Sequence, residues 1–281
     1  MTQRLFSFAR LSVSAVALVF PLSCTLSSPI ASTGSESVTD PTANRGSKSV
    51  TEQLERTLEG KGVSSLEAQT TNGGIGLAGP TQDGVVVVRI RKEVFASTEQ
   101  GAQDFARSVQ VFAERNGDGV RVYSVYPRPP ADVQVSVAYD IQCPDNVAVK
   151  LATVNGAIHI QGVSGAFDAQ TVNGNIDALV ETLSGEGRFS AVNGFLVVQV
   201  RKGVAPVTAT TLNGGVRVTL PANFSGQLDA QTLNGRASSD FPISVPAGNP
   251  QNRLAGPVGE GGATTVRLRA TNGDVSLKRW Q

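Results

Sequence analysis

The dipeptide Asn-Gly occurs eight times, and seven of the copies, Asn72-Gly73, Asn155-Gly156, Asn173-Gly174, Asn193-Gly194, Asn213-Gly214, Asn234-Gly235 and Asn272-Gly273, share a common pattern of flanking residues. The five central copies stand 18, 20, 20 and 21 residues apart, the mark of a repeat architecture. Two positions before each Asn stand Thr70, Thr153, Thr171, Ala191, Thr211, Thr232 and Ala270. Three positions after stand Ile75, Ile158, Ile176, Leu196, Val216, Ala237 and Val275. Even offsets before the turn and odd offsets after it are therefore apolar or small. That is the period of two expected of half-buried strands on either side of a short turn.

A second turn recurs between these units, at Ser164-Gly165, Ser184-Gly185, Lys202-Gly203 and Ser225-Gly226. Each repeat thus holds two strands and two corners. Asn-Gly is also a strong signal for a tight antiparallel hairpin, because Asn tolerates positive φ and Gly adopts it freely. An antiparallel meander or sandwich is therefore the alternative. The identity of residue type at successive repeats favours an all-β solenoid, a β-helix-like stack of coils with like residues on like. In that stack the Asn side chains form a ladder, and the Asn-Gly pairs are architectural corners and not ligand sites. Scarce aromatics (5%) and abundant Gly (30 residues) suit such thin, tightly turned β structure.

Between the first unit and the regular array, 84–92 reads as a strand. Ser97 to Arg107 reads as a short helix, with Ser97 and Gln100 as its capping box. Alternation resumes at 109–111, turns at Asn116-Gly117-Asp118-Gly119 and returns through 120–123; Asp132 to Cys143 then sets Val133, Val135, Val137, Tyr139 and Ile141 on one face. Residues 240–262 break the spacing with Pro and Gly and form a loop that caps the stack or carries function.

The amino terminus has Arg4 and Arg10 before an apolar run from Leu11 to Leu22, which ends just short of Cys24. The run is too short for a transmembrane helix, and 1–23 reads as a secretory signal. Ser23-Cys24 is similar to a bacterial lipobox, with Pro21 at the usual Leu position. Cys24 is accordingly the expected lipidation site and membrane anchor, with plain cleavage to a soluble form as the alternative. Residues 24–60, rich in Ser, Thr and Pro, read as a flexible tether in which 51–60 could form a short helix. Residues 61–281 read as the solenoid domain. Without 1–23, 22 Lys and Arg face 23 Asp and Glu, so no strong overall field points to nucleic acid.

One histidine, His159, leaves catalytic triads and multi-His metal sites short of partners, and alternation turns it outward. Cys143 reads as a small core or edge residue. No phosphate-binding loop, no metal site and no cofactor site are expected. Carboxylates remain as acid and base candidates: Asp168, Asp177 and Asp229 should point outward, beside Arg217, Arg236, Arg267 and Arg269, as a solvated mixed-charge face.

The segments TTNGGI, LATVNGAIHIQG, FDAQTVNGNIDAL, TTLNGGVRVTL and RATNGDVSLK, in this order behind a signal and linker, carry a resemblance. Over roughly residues 60–281 the chain resembles the toastrack-type putative adhesin domains of bacterial envelope proteins. The resemblance implies a β-helix-like solenoid in the cell envelope, and it supplies no catalytic residue. The expected function is a noncatalytic adhesive or structural module. Its expected partners are a membrane through the anchor and an envelope glycan or protein, and self-association through the ends of the stack is a further expectation. The alternative is a carbohydrate-active enzyme on the same scaffold.

Overall fold

The computed structural model describes residues 37–38, 48–81, 84–243 and 250–281. The signal, Cys24 and most of the tether lie outside the described residues.

The strand that precedes each Asn-Gly and the strand that follows it belong to two different sheets, which meet at the Asn-Gly corner and enclose the core between them. Sheet A holds the preceding strands. In spatial order it runs Ser65–Asn72, Ala148–Asn155, 167–173, 187–193, Val207–Asn213, Thr265–Asn272 and Gly226–Asn234, with every neighbour parallel and every Asn beside the next. Sheet B holds the following strands, again parallel, from Ile75–Ala78 through 158–161, 176–180, Leu196–Lys202, Val216–Leu220 and Val275–Arg279 to Ala237–Ser239. Parallel pairing in both sheets makes the array a solenoid and excludes the meander.

The inward residues follow the expected alternation. Ile75, Ile158, Ile176, Leu196, Val216 and Val275 are at most 2% exposed and stack down the middle of the core. Leu151, Ala169, Phe189, Ala209, Leu268 and Ala230 fill the facing side. Large and small residues thus alternate across a thin interior, as close packing requires.

The spatial order departs from simple succession at one point. The final unit, Thr265–Asn272 and Val275–Arg279, is inserted between the coil of Asn213 and the coil of Asn234. The interrupting stretch makes this possible: Arg253–Val258 turns back antiparallel to Gly226–Asn234 and covers the outer edge of sheet A. Part of the segment read as a 240–262 loop is therefore an edge strand, and 244–249 lie outside the described residues.

The other end is closed by the insertion between Ala78 and Ala148. Gly119–Val125 adds in parallel to Ser65–Asn72, and Gln110–Asn116 adds antiparallel beyond it. On sheet B, Gln134–Gln142 adds in parallel, followed by Val85–Ala96 and Lys48–Glu59, both antiparallel. The helix Glu99–Ser108 packs on these last two, burying Ala102 and Ala106. Its cap is Thr98, whose hydroxyl accepts from the Gly101 amide at 3.0 Å; Ser97 instead donates to Asp132 at 2.7 Å.

Lys48–Glu59 corrects the tether boundary and the helix expected at 51–60. It is a strand of 12 residues paired along its whole length with Val85–Ala96. Val50, Leu54 and Leu58 lie four apart, a spacing that suits one helix face and also suits alternate residues of a strand. The open edge of Val85–Ala96 decides between them.

Candidate functional site

The corner residues come first, because the seven Asn-Gly pairs of the repeat meet along one edge, while Asn116-Gly117 forms a separate hairpin turn. Each Asn side-chain amide donates to the side-chain carbonyl of the preceding one in the stack: Asn155 to Asn72, Asn173 to Asn155, Asn193 to Asn173, Asn213 to Asn193, Asn272 to Asn213 and Asn234 to Asn272, all at 2.7–2.8 Å. The first amide, of Asn72, donates to the Val135 carbonyl at 3.2 Å. Beneath the ladder, the buried hydroxyls of Thr153, Thr171, Thr211 and Thr232 donate to the carbonyls of Gly73, Gly156, Gly194 and Gly273 at 2.7–3.0 Å. Backbone pairing runs through the corner as well, as in Gly174 N–H to Asn193 carbonyl at 3.0 Å.

This geometry corrects the reason for the dipeptide. Among described residues the one non-glycine with positive φ is Asn146, so no corner Asn uses the left-handed region. Gly is required by close approach at all seven corners, and at Gly73, Gly214 and Gly273 by a positive φ as well. A Cβ on Gly174 would overlap the carbonyl of Gly156, and one on Gly194 would overlap that of Gly174. The corner is a bend between two sheets and not a hairpin turn.

The outward side chains of sheet A fall into three rows along the stack. Farthest from the corner is a charged row: Arg121, Glu67, Lys150, Asp168, Arg188, Thr208, Arg267 and Asp229 stand on successive strands. Its first five members alternate in sign. Arg121 and Lys150 pair with Glu67 at 3.2 and 3.0 Å, while Arg267 and Arg269 both reach Asp229. Partial burial pushes the Glu67 carboxyl up, but the hydrogen bond and charge of Lys150, with Arg121 and Gln69, hold it below its ordinary value of 4.5. The middle row is polar and includes Gln69, Gln170, Ser190 and Thr210. The row next to the corner is aliphatic on five strands, with Val154, Val172, Val192 and Leu212 half-buried and Leu233 exposed, and carries Thr71 and Thr271 on the other two. Asp168, Asp229 and Arg267 were read from the sequence as part of a mixed-charge face, but the row that joins them to Glu67, Lys150 and Arg188 was not, although its signal is there: it stands five positions before each Asn, where residue type varies and sign is the regular feature.

On sheet B, His159 is exposed and lies beside Asp177 on one side and Gly76 on the other. Beyond Gly76 comes Asp140, whose carboxylate lies over the glycine. Arg217 is exposed two strands from Asp177, beyond Val197. Arg236 is exposed at the corner, where its backbone N–H donates to Asp274. The acid and base candidates are thus divided between two faces: Asp168 and Asp229 on sheet A, Asp177 on sheet B. Cys143 is fully buried, and burial with the nearby Asp145 charge pushes its thiol up to about 12, so it holds its proton at neutral pH. Among the described residues, no three His, Cys, Asp or Glu side chains are grouped to hold a metal ion. Among them too, no helix is long and apolar enough to cross a membrane.

Comparison with known proteins adds the following. No curated protein matches the chain. Three solved structures are similar over most of the chain. A putative cell adhesion protein from Clostridium sporogenes is 10% identical, with 82% of this chain and 100% of that one covered and a TM-score of 0.37. A putative adhesin from Bacteroides fragilis is 11% identical, covering 81% and 97%, at 0.28. A putative adhesin from Parabacteroides distasonis is 9% identical, covering 80% and 96%, at 0.30. The family model described as Toastrack DUF4097 matches residues 138–278, just over half of the chain and the whole of its regular array. The chain, a stack of two-strand coils closed at Asn-Gly corners, belongs to the Toastrack DUF4097 family.

Proposed function

We propose that the protein is a noncatalytic module of the cell envelope, exported, held to a membrane through lipidated Cys24, and presenting a rigid polar β surface for adhesion. The observation that carries this reading is the fixed array of outward side chains. Backbone pairing and the Asn ladder continue without a break from coil to coil, so the rows are spaced by the stack itself. Such a surface suits an extended repeating ligand such as an envelope glycan, which meets the same spacing at every coil.

The amino-terminal reading supports the location: a basic start, an apolar run and then Cys24. Mass spectrometry of the mature amino terminus tests it, with a diacylated or triacylated Cys24 as the expected result and an unprocessed Met1 as the result that ends it. A glycan array followed by turnover assays tests the rest. Binding without turnover agrees with the proposal, and turnover of a bound glycan would make the chain a carbohydrate-active enzyme instead.

A further inference from the structure

We propose that the outward face of sheet A pairs with the same face of a second copy of the chain, antiparallel, about a two-fold axis that runs along the strands between 167–173 and 187–193. This goes beyond the adhesive reading and does not depend on it; in such a dimer the outward face of sheet B is the one left for a ligand. Rotation about that axis reverses the order of the strands and leaves each row facing its own counterpart. In the charged row, Arg121 then faces the partner's Asp229, Glu67 faces the partner's Arg267, and Asp168 faces the partner's Arg188. Each meeting is of opposite sign, and symmetry makes each one twice. Lys150 meets the neutral partner's Thr208. Moving the axis by half a strand spacing, onto 187–193, would set Lys150 on the partner's Arg267 and Glu67 on the partner's Asp229, like on like. The row therefore selects one register.

The aliphatic row points the same way. Among described residues the exposed large hydrophobics are Val125, Phe195 and Leu233, at 52%, 60% and 68%. Val125 closes the strand Gly119–Val125, and Leu233 stands next to the last residue of Gly226–Asn234, seven strands away. The same axis brings Val125 onto the partner's Leu233. Between them, Val172 meets the partner's Val192. Two of the three exposed hydrophobics are thus covered by one operation that was placed on the charges.

Area and overall charge agree. Eight strands at about 4.8 Å and six residues at about 3.3 Å give a face of roughly 760 Å², close to the ~800 Å² per partner of a stable interface. Residues 48–183 hold 11 basic and 16 acidic side chains, and residues 184–281 hold 10 basic and 5 acidic. An antiparallel pair lays the acidic part of one copy across the basic part of the other.

Sedimentation velocity on the full chain tests the proposal. The expected mass is that of two chains, falling toward one as salt is raised. Val125→Glu and Leu233→Arg, both at exposed positions, should each weaken the dimer by about tenfold or more with the melting temperature unmoved, and the double variant should restore it. The two sites are too far apart within one chain to rescue each other, so recovery reports contact between copies. A wild-type chain that sediments as a monomer at the highest soluble concentration overturns the proposal. So does a mass above two chains, a single variant that dimerises like wild type, or a double variant no better than the singles.

Discussion

A buried threonine beneath the corner binds the glycine carbonyl of the coil before it, and at two coils that hydroxyl is missing. Ala191 and Ala270 occupy the threonine position, so the carbonyls of Gly174 and Gly214 receive no such bond. Ala191→Thr should raise the melting temperature by an amount that corresponds to about 0.5–1.5 kcal/mol, the worth of one added hydrogen bond; thermal denaturation followed by circular dichroism measures it. The ladder above predicts the reverse. Asn173→Ala or Asn193→Ala removes two amide bonds, one donated and one accepted, and should cost about 1–2 kcal/mol, limited by the exposure of the edge to water. Gly174→Ala should be worse than either, about 3 kcal/mol or more, because the clash is with backbone that is itself paired. Glu67 gives a pH signature. Its folded-state value lies below the ordinary 4.5, so its contribution is present above that value and is lost as pH falls through the lower folded one. Glu67→Gln should therefore lose less stability on acidification than wild type does, as read by melting temperature across the acid range.

At the scale of elements, the capping helix is held by a charge from the sheet below it. Lys92 is 5% exposed, and its ammonium donates to the Ala106 carbonyl at 2.8 Å at the helix C-terminus while pairing with Glu52 at 2.6 Å. Lys92→Met should cost about 3 kcal/mol, because it leaves carbonyls and a half-buried carboxylate without their partner; urea denaturation checks this. None of this was legible in advance, since Lys92 reads as one more charge in the run Arg89 to Glu93. The strands of the regular array were legible, because their period of two is anchored at every corner by an invariant dipeptide. Lys48–Glu59 was not. Its apolar residues fall four apart, and only the free edge of Val85–Ala96, distant in sequence, makes it a strand. Thr98 rather than Ser97 as the helix cap is the same kind of near miss: both hydroxyls stand before the helix, and the Asp132 carboxylate takes the first. The Asn-Gly corner was placed correctly, with part of its reason missing. Positive φ holds for the glycine at three corners and at none for the asparagine, whereas room for the neighbouring backbone is needed at all seven, and sequence alone does not distinguish conformation from clearance.

At the scale of the whole molecule, antiparallel strands cover both edges of sheet A and one edge of sheet B among the described residues: Gln110–Asn116 and Lys48–Glu59 at one end, and Arg253–Val258 at the other. Coil-on-coil growth through the ends therefore meets strands that run the wrong way. Association through the outward face of sheet A, as proposed above, needs no open edge. The swapped order of the last two coils also binds the end of the chain into the interior of the array. Deleting 263–281 removes a coil from between two others, so the coil of Asn234 loses its neighbour on the inner side. That truncation should abolish a single cooperative unfolding transition in calorimetry and not merely shorten the array. The same arrangement orders events in time. The coil of Asn234 precedes 265–279 in the chain but lies beyond it in the stack, so during synthesis it has no neighbour on its inner side until 265–279 has been made.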